Sequence, residues 1–389
     1  MSVIPRELFM RFRGPEPIQR TPLGNAIDKA TLKLLQEAFI SSSDKNVVTS
    51  PLGVMILLSL YNTGAGEETQ QEINNYLGGA CPAELAESYS SLSRKFSTLN
   101  PECLTVANKI YVNKKFTLWE KFSEIARNSY HSGVDKINVE APAAAAALIN
   151  EWAENMTRGH IKNAMAESDI KPSVTAVLVN VIFFQGHWSV PFKAIDTKEK
   201  DFHTSDGNVI KKPMMHLLRA FKYTKCANIP ARMIELPYKE EGFRMIVVLP
   251  NEIDGLPAVV EQAAKTGLLD DIFNLRVADR VDLDMPKFDI ENCLDLQDLL
   301  SKIGVNAIFS EAAPGIVKDD FINVTKAIQK AFVKVDEEGA IAGAFTAFVT
   351  CRTTSVYIPP PPVKFTVDRP FLFMILHEDI ILFVGTLSK

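Results

Sequence analysis

The residues with chemical potential gather in one stretch near the C-terminus, Val335 to Pro362, and they do not form a catalytic set. Beyond Gly339 the stretch holds a single charged side chain, Arg352, followed by Thr353, Thr354, Val356 and Tyr357, with the thiol of Cys351 beside it. An arginine in so apolar a segment either presents a cation to a partner or keeps the segment soluble. Upstream, Ala340, Ala342, Ala344 and Thr346 stand at alternate positions. A strand whose every second side chain is small can slip between tightly packed neighbours. The stretch therefore reads as a strand held in reserve.

No second chemistry competes with it. GxSxG, HExxH, Walker and GxGxxG motifs are absent, and His377-Glu378 lacks a second histidine. The six histidines, His131, His160, His187, His203, His216 and His377, are dispersed and read as core or surface residues. The five cysteines, Cys81, Cys103, Cys226, Cys293 and Cys351, are odd in number and lack CxxC spacing, which argues against a disulfide framework or a metal site. Without a constellation of acid, base and nucleophile, an enzyme is not expected, and neither is a cofactor or a metal. A net charge of −5 gives no support to nucleic-acid binding. No apolar run reaches the ~18 residues of a membrane span; the best, Pro370 to Leu387, is broken by His377-Glu378-Asp379.

The elements that must hold the stretch can be read in order. The chain has 389 residues, 47% of them hydrophobic and 23% charged, enough for a large core. No Gly/Ser-rich or charged linker divides it. Residues 1–24 read as a flexible arm, and residues 25–389 as one domain. Helical spacing runs from Asn25 to Ile40. Asn46 to Thr49 is a short strand stopped by Ser50-Pro51, before an almost wholly apolar helix, Val54 to Asn62, that should be buried. Further helices are expected at Thr69–Leu77, Ala83–Phe96, Leu118–Tyr130 and Ala141–Met156. Val174 to Phe184 is a continuous apolar run, the pattern of a strand buried on both faces. Its one amide side chain, Asn180, needs partners from other strands or a helix. Strands follow near Phe221–Tyr223, Ala231–Leu236, Arg244–Leu249 and Arg280–Met285, with helical patterns at Leu256–Gln262, Thr266–Asn274 and Leu294–Ile303. Phe321–Val335 feeds the stretch, and Val363–Thr366, Phe371–Leu376 and Ile380–Thr386 close the chain. Helices first and many strands after make an α+β protein with large antiparallel sheets. A connection longer than ~12–15 residues is uncommon and usually functional, and this one, about 339–362, is too apolar for a disordered linker.

Taken together, these landmarks resemble the serpin family over roughly residues 25–389. They are Asn46-Val-Val-Thr-Ser-Pro-Leu-Gly53, Gly64-Ala65 with Thr69, Asn150-Glu-Trp152 with Thr157 and Ile161, and Leu178 to Trp188. Leu236-Pro-Tyr238, Met245 to Pro250, Met285-Pro-Lys287, Ala331 to Gly339 and Val367 to Phe373 follow in the family's order. The resemblance implies the serpin fold, with three β-sheets, eight or nine helices and an exposed reactive-centre loop. It implies a monomeric suicide inhibitor. A target endopeptidase, serine-class first, cleaves the loop, which then inserts into the main sheet and traps the acyl-enzyme. Glu337, Glu338, Gly339, Ala340, Ala342 and Ala344 fall on the hinge; Ile341 replaces the acidic residue common there. Ser50, Asn180, Gln329, Lys287 and Trp188 fall on positions that control sheet opening. Glu337 and Lys287 match the pair that closes the top of the sheet beside Trp188. Gly53 stands where a serine is usual and Gln329 where a histidine is usual, so the cluster is expected to be rewired through Gln329.

The reactive bond stays open between registers. Counting the family's usual loop length from Glu337 gives Thr353–Thr354. One residue earlier, Arg352–Thr353 suits a trypsin-like pocket. Counting back from Ile358-Pro-Pro gives Val356–Tyr357, which suits an elastase-like pocket. Phe348-Val349-Thr350 would suit a papain-like cysteine protease, and a non-inhibitory carrier, chaperone or storage member is the other alternative. The family implies an extracellular protein. Met1 to Arg13 nevertheless carries charges where a signal peptide needs an apolar region, which would mean a cytoplasmic one were Met1 the native start. The sequons at Asn155 and Asn323 fall in expected regular elements, so strong occupancy is not expected.

Overall fold

A computed structural model describes residues 22–79, 82–318, 321–338 and 361–389. Helix α1 (Pro22–Ser41) is followed by the short strand β1 (Val47–Thr49), then α2 (Pro51–Asn62), α3 (Glu67–Leu77) and α4 (Pro82–Ser97). Next come β2 (Leu104–Asn113), α5 (Glu120–Tyr130), β3 (Gly133–Ile137), α6 (Pro142–Met156) and β4 (Ala176–Phe184). The second half holds β5 (Lys198–His203), β6 (Val209–Lys225), β7 (Ala231–Pro237), β8 (Phe243–Pro250), α7 (Leu256–Thr266), α8 (Leu269–Phe273), β9 (Arg276–Pro286) and β10 (Phe288–Asp295). It ends with α9 (Leu296–Lys302), β11 (Val324–Val335), β12 (Val363–Thr366), β13 (Phe371–His377) and β14 (Ile380–Leu387).

Local sequence explains most boundaries. Ser50 caps α2, its hydroxyl accepting from the Gly53 amide at 3.3 Å, and Pro51 sits where a missing N–H costs nothing. All of α2 is buried, as its composition requires. Helix α1 starts at Pro22 rather than Asn25, so residues 22–24 of the expected arm are helical; proline's fixed φ suits a first turn. Residues 1–21 lie outside the described residues. Leu294 and Asp295, expected in a helix, finish β10, and Asp295 then caps α9 by accepting from Gln297 N at 3.0 Å. The apolar run from Pro370 is not a helix but the β13–β14 hairpin, turned at Glu378, whose φ is +55°. Among the described residues, no helix is long and apolar enough to cross a membrane.

The strands form two ladders. One has five strands in the order β10-β11-β4-β2-β3. The other has nine, β1-β14-β13-β8-β7-β6-β9-β12, with β5 added to β6. The second ladder merges two of the three sheets expected, because β6 runs 17 residues and pairs with β9 along most of its length and with β7 at its end.

Strand β4 is the centre of the five-stranded sheet and buried at every position. Ala176, Leu178, Ile182 and Phe184 join the main core. Val177, Val179 and Val181 join a second core built with Ala145, Ala146, Ile149 and Ala153 of α6. One face is thus covered by α6 and the other by the core around α2, which is why the run carries no alternation. Its partner β11 lies beside it in parallel, from Val324 against Ala176 to Val333 against Phe184.

Gly385 marks where packing is tightest. It pairs with Val48 of β1 and Phe373 of β13, and a Cβ there would run into the Val47 carbonyl and the Phe373 ring. Gly385→Ala should therefore cost the ~1–3 kcal/mol typical of an overpacked core. Urea unfolding reads this as a lower midpoint, and an unchanged midpoint would show that β1 moves aside freely.

Candidate functional site

The residues expected to control sheet opening separate into two groups, both on the β4–β11 seam. The first lies beneath its middle. Register places Gln329 of β11 directly opposite Asn180 of β4. Gln329 Nε2 donates to Asn180 Oδ1 and to the Ser50 carbonyl, both at 2.7 Å. Its Oε1 accepts from Thr49 Oγ1 at 2.5 Å and from Ser50 N at 2.9 Å. Asn180 Nδ2 then donates to Asn108 Oδ1 of β2 at 2.8 Å. Asn180, Gln329, Ser50 and Thr49 are completely buried. Such groups are costly unless paired, and here one glutamine ties together β11, β4 and the entry to α2. Gly53 makes room for this arrangement: a Cβ there would lie 2.5 Å from Asn180 Nδ2 and 2.7 Å from its Oδ1.

The second group closes the end of the seam, where β11 runs out. Lys287, between β9 and β10, pairs with Glu337 at 2.7 Å, and Thr197 Oγ1 donates to the other carboxylate oxygen at 2.8 Å. Phe192 N donates to the Glu337 carbonyl at 2.9 Å. Trp188 Nε1 donates to the Asp336 carbonyl at 2.8 Å, while its ring stacks on Tyr238 with centroids 4.5 Å apart. Burial pushes the Glu337 carboxyl up, but hydrogen bonds from Lys287, from its own backbone and from Thr197 outweigh that and hold it below the usual glutamate range. Glu338 donates its amide to Asp336 Oδ1 at 3.2 Å.

Over the opposite face of the seam runs the segment that follows α6. Thr157 is buried and accepts from Ile161 N at 3.0 Å, and Asn150 Nδ2 and Oδ1 hold the Met165 carbonyl and amide. Lys330 of β11 reaches up to the Lys162 carbonyl at 2.6 Å and also pairs with Glu291 of β10 at 2.8 Å.

The chain leaves this site beyond Glu338 and is next described at residue 361, where β12 joins the other ladder beside β9. Gly339, Ala340, Ala342, Ala344, Cys351 and the reactive-bond candidates Arg352, Thr353, Thr354, Val356 and Tyr357 lie outside the described residues, as does Cys81.

Sequence reasoning missed Thr49, Asn108 and Thr197, whose roles depend on register and on which turns meet. It also passed over a grouping of metal-ligand types, His216, Asp282 and Asp284, with His216 Nδ1 3.2 Å from Asp284 Oδ1 and 3.5 Å from Asp282 Oδ1. There the Lys200 ammonium sits 2.6 Å from Asp284 and supplies a cation from the chain itself. Cys103 and Cys226 are free thiols, both pushed up to about 12, by burial first and then by Glu240 and Asp271 respectively, which makes them inert as nucleophiles.

With this geometry in place, comparison with known proteins is direct. The family model Serpin (serine protease inhibitor) matches residues 25–389. Antitrypsin of Bombyx mori is 33% identical over 365 residues, covering 93% of this chain and 93% of that protein. Antichymotrypsin-2 of the same species is also 33% identical over 365 residues, covering 93% of this chain and 97% of its own. Serpin48, a highly specific serpin of the insect Tenebrio molitor, aligns with a TM-score of 0.82 at 31% identity over 94% of this chain and 98% of that one.

Two outcomes test the groups. Gln329→Ala strips buried partners from Asn180, Thr49 and Ser50, so it should cost at least ~2 kcal/mol; a chemical-denaturation midpoint equal to wild type would refute this. Because Glu337 is held low when folded, its contribution is present above the unfolded value of about 4.3 and is lost as pH falls through the lower folded value. Trp188 emission should therefore change on acidification below about pH 4.3, and Glu337→Gln should flatten that change.

Proposed function

The chain belongs to the serpin family, and from that premise we propose that it inhibits an endopeptidase, serine-class first, as a suicide substrate. The observation that carries this reading is the β11–β4 pair. The two strands are parallel neighbours, and the chain leaves the end of β11 with a row of small residues. A segment turning back at that end would run antiparallel to both, and would exchange one parallel ladder for two antiparallel ones. Each net hydrogen bond gained contributes ~0.5–1.5 kcal/mol, against ~1–2 kcal/mol per residue ordered. Burial of the inserted side chains has to supply the rest, and small ones at Ala340, Ala342, Ala344 and Thr346 can be buried there without overpacking neighbours already at the density of a protein core.

In the reaction so proposed, the protease hydroxyl oxygen attacks the scissile carbonyl and forms an ester. The C–N bond breaks and the new amino terminus takes the proton. Insertion must then outrun water's attack on the ester. The groups at Gln329 and Glu337 hold the seam closed until the loop is cut. Native serpins hold such strain kinetically and release it on insertion.

Arg352–Thr353 is the bond we place first, because Arg352 is the only charge a specificity pocket could read in this segment. Val356–Tyr357 and Thr353–Thr354 are the competing registers. The two Bombyx mori relatives carry names that point to different proteases at equal identity, so overall similarity does not choose between them. Action outside the cell, as a monomer, belongs to the same proposal and rests on the family.

The test is incubation with trypsin-like, elastase-like and papain-like proteases. A complex stable to SDS with a serine protease is expected, and the mass of the released C-terminal peptide identifies the bond. Arg352→Ala should abolish the trypsin-like complex. Ala344→Arg, which puts a charge in the inserting row, should convert the inhibitor to a substrate that is cut without trapping. Cleavage of the wild type without inhibition, and without a rise in thermal stability, would favour a carrier, chaperone or storage role instead.

A further inference from the structure

Phe183 of β4 and Phe332 of β11 occupy directly paired positions across the seam, on the face covered by α6. Their rings are nearly parallel, 11° apart, with centroids 6.0 Å from each other. His160, in the turn after α6, lies on both. Its imidazole stacks on Phe183 at 4.3 Å and 15°, and on Phe332 at 5.8 Å and 24°. The turn is held in place around it: His160 N donates to the Thr157 carbonyl at 3.0 Å, and the next residue, Ile161, is fully buried in the core that α6 shares with β4 and β11. Partial desolvation against the two rings, then Lys334 and Arg158, hold the His160 imidazole below its ordinary value.

We propose that His160 is a latch residue, whose ring spans β4 and β11 and sets how readily the seam between them opens. Neighbouring strands lie about 4.8 Å apart. A strand inserted between β4 and β11 would separate the two phenylalanines to roughly twice that distance. The three rings now form a closed triangle of 6.0, 4.3 and 5.8 Å between centroids, and that separation pulls the triangle open, so the imidazole cannot keep its present seat on both rings. Opening the seam therefore disrupts the paired stack, whatever causes the opening. The latch acts on the face opposite Gln329 and three residues further along β11, so the seam is fastened from both sides at different heights. His160 itself is solvent-exposed, so truncating it leaves no cavity in the core. The consequence for trapping rests on the insertion reading above; the latch on the closed seam does not.

Hydrogen exchange followed by mass spectrometry tests the latch directly, on the full chain. In His160→Ala, amides of residues 179–184 and 328–333 should exchange roughly three- to tenfold faster than in wild type, the range expected for losing one aromatic contact. The β13–β14 hairpin should be unchanged. His160→Phe, which restores a flat ring, should exchange like wild type. Seam exchange in His160→Ala within about twofold of wild type overturns the proposal, and so does His160→Phe exchanging as fast as His160→Ala. The same proteins are then offered a synthetic peptide with the sequence of residues 339–350. Uptake by wild type, accelerated in His160→Ala by the same factor, links the latch to insertion. Refusal by wild type counts against the insertion reading, while the exchange rates still decide the latch.

Discussion

The pairing of β4 with β11 is the constraint on which the rest of the structure depends. The two strands are far apart in the chain and run parallel, so no hairpin holds them together. What holds them is one ladder of backbone hydrogen bonds and whatever crosses it. Beneath the ladder is the Gln329 amide, above it the segment after α6, and at its end the Glu337–Lys287 pair. Each tie is modest, of the order of a hydrogen bond or a partly buried ion pair. A pair closed by many small ties at different heights resists partial opening and yields only when several break together.

The ties differ in what they respond to. The Gln329 cluster is fully buried and uncharged, so it is insensitive to salt and to pH near neutrality. The Glu337 group is partly solvated and charged, so acid and ionic strength reach it. Trp188 couples that group to the other ladder through its stack on Tyr238, which follows β7. The end of the seam therefore senses the environment and the middle does not. Disturbing the sheet from outside is easiest at Glu337, where the chain leaves the end of β11.

Much of this was legible in the sequence, for reasons that can be named. β4 announced itself because a strand covered on both faces must be apolar throughout, and Asn180 stood out within it for the same reason. Gln329 was legible as a departure from the family's pattern, and its side chain bonds to Asn180 and to the Ser50 carbonyl. β10 was not read as a strand: its outer face carries Asp289, Glu291 and Cys293, and as an edge strand it buries only part of its length. The start of α1 was missed because Pro22 looks like a breaker and acts as an initiator. His160 looked like any surface histidine, since nothing in its neighbourhood along the chain foretells two phenylalanines from strands distant in sequence. Partners fixed by register, such as Asn108 for Asn180, become visible only once strands are aligned.

The fit of Gly53 against the Asn180 amide reaches beyond packing. A side chain at position 53 has to take the volume that Asn180 fills, and Asn180 keeps its place through Gln329. Positions 53, 180 and 329 are therefore not free to drift one at a time. A serine placed at position 53 with the other two unchanged meets a filled site, so the three side chains form one unit of volume in which a change at one is felt by the others.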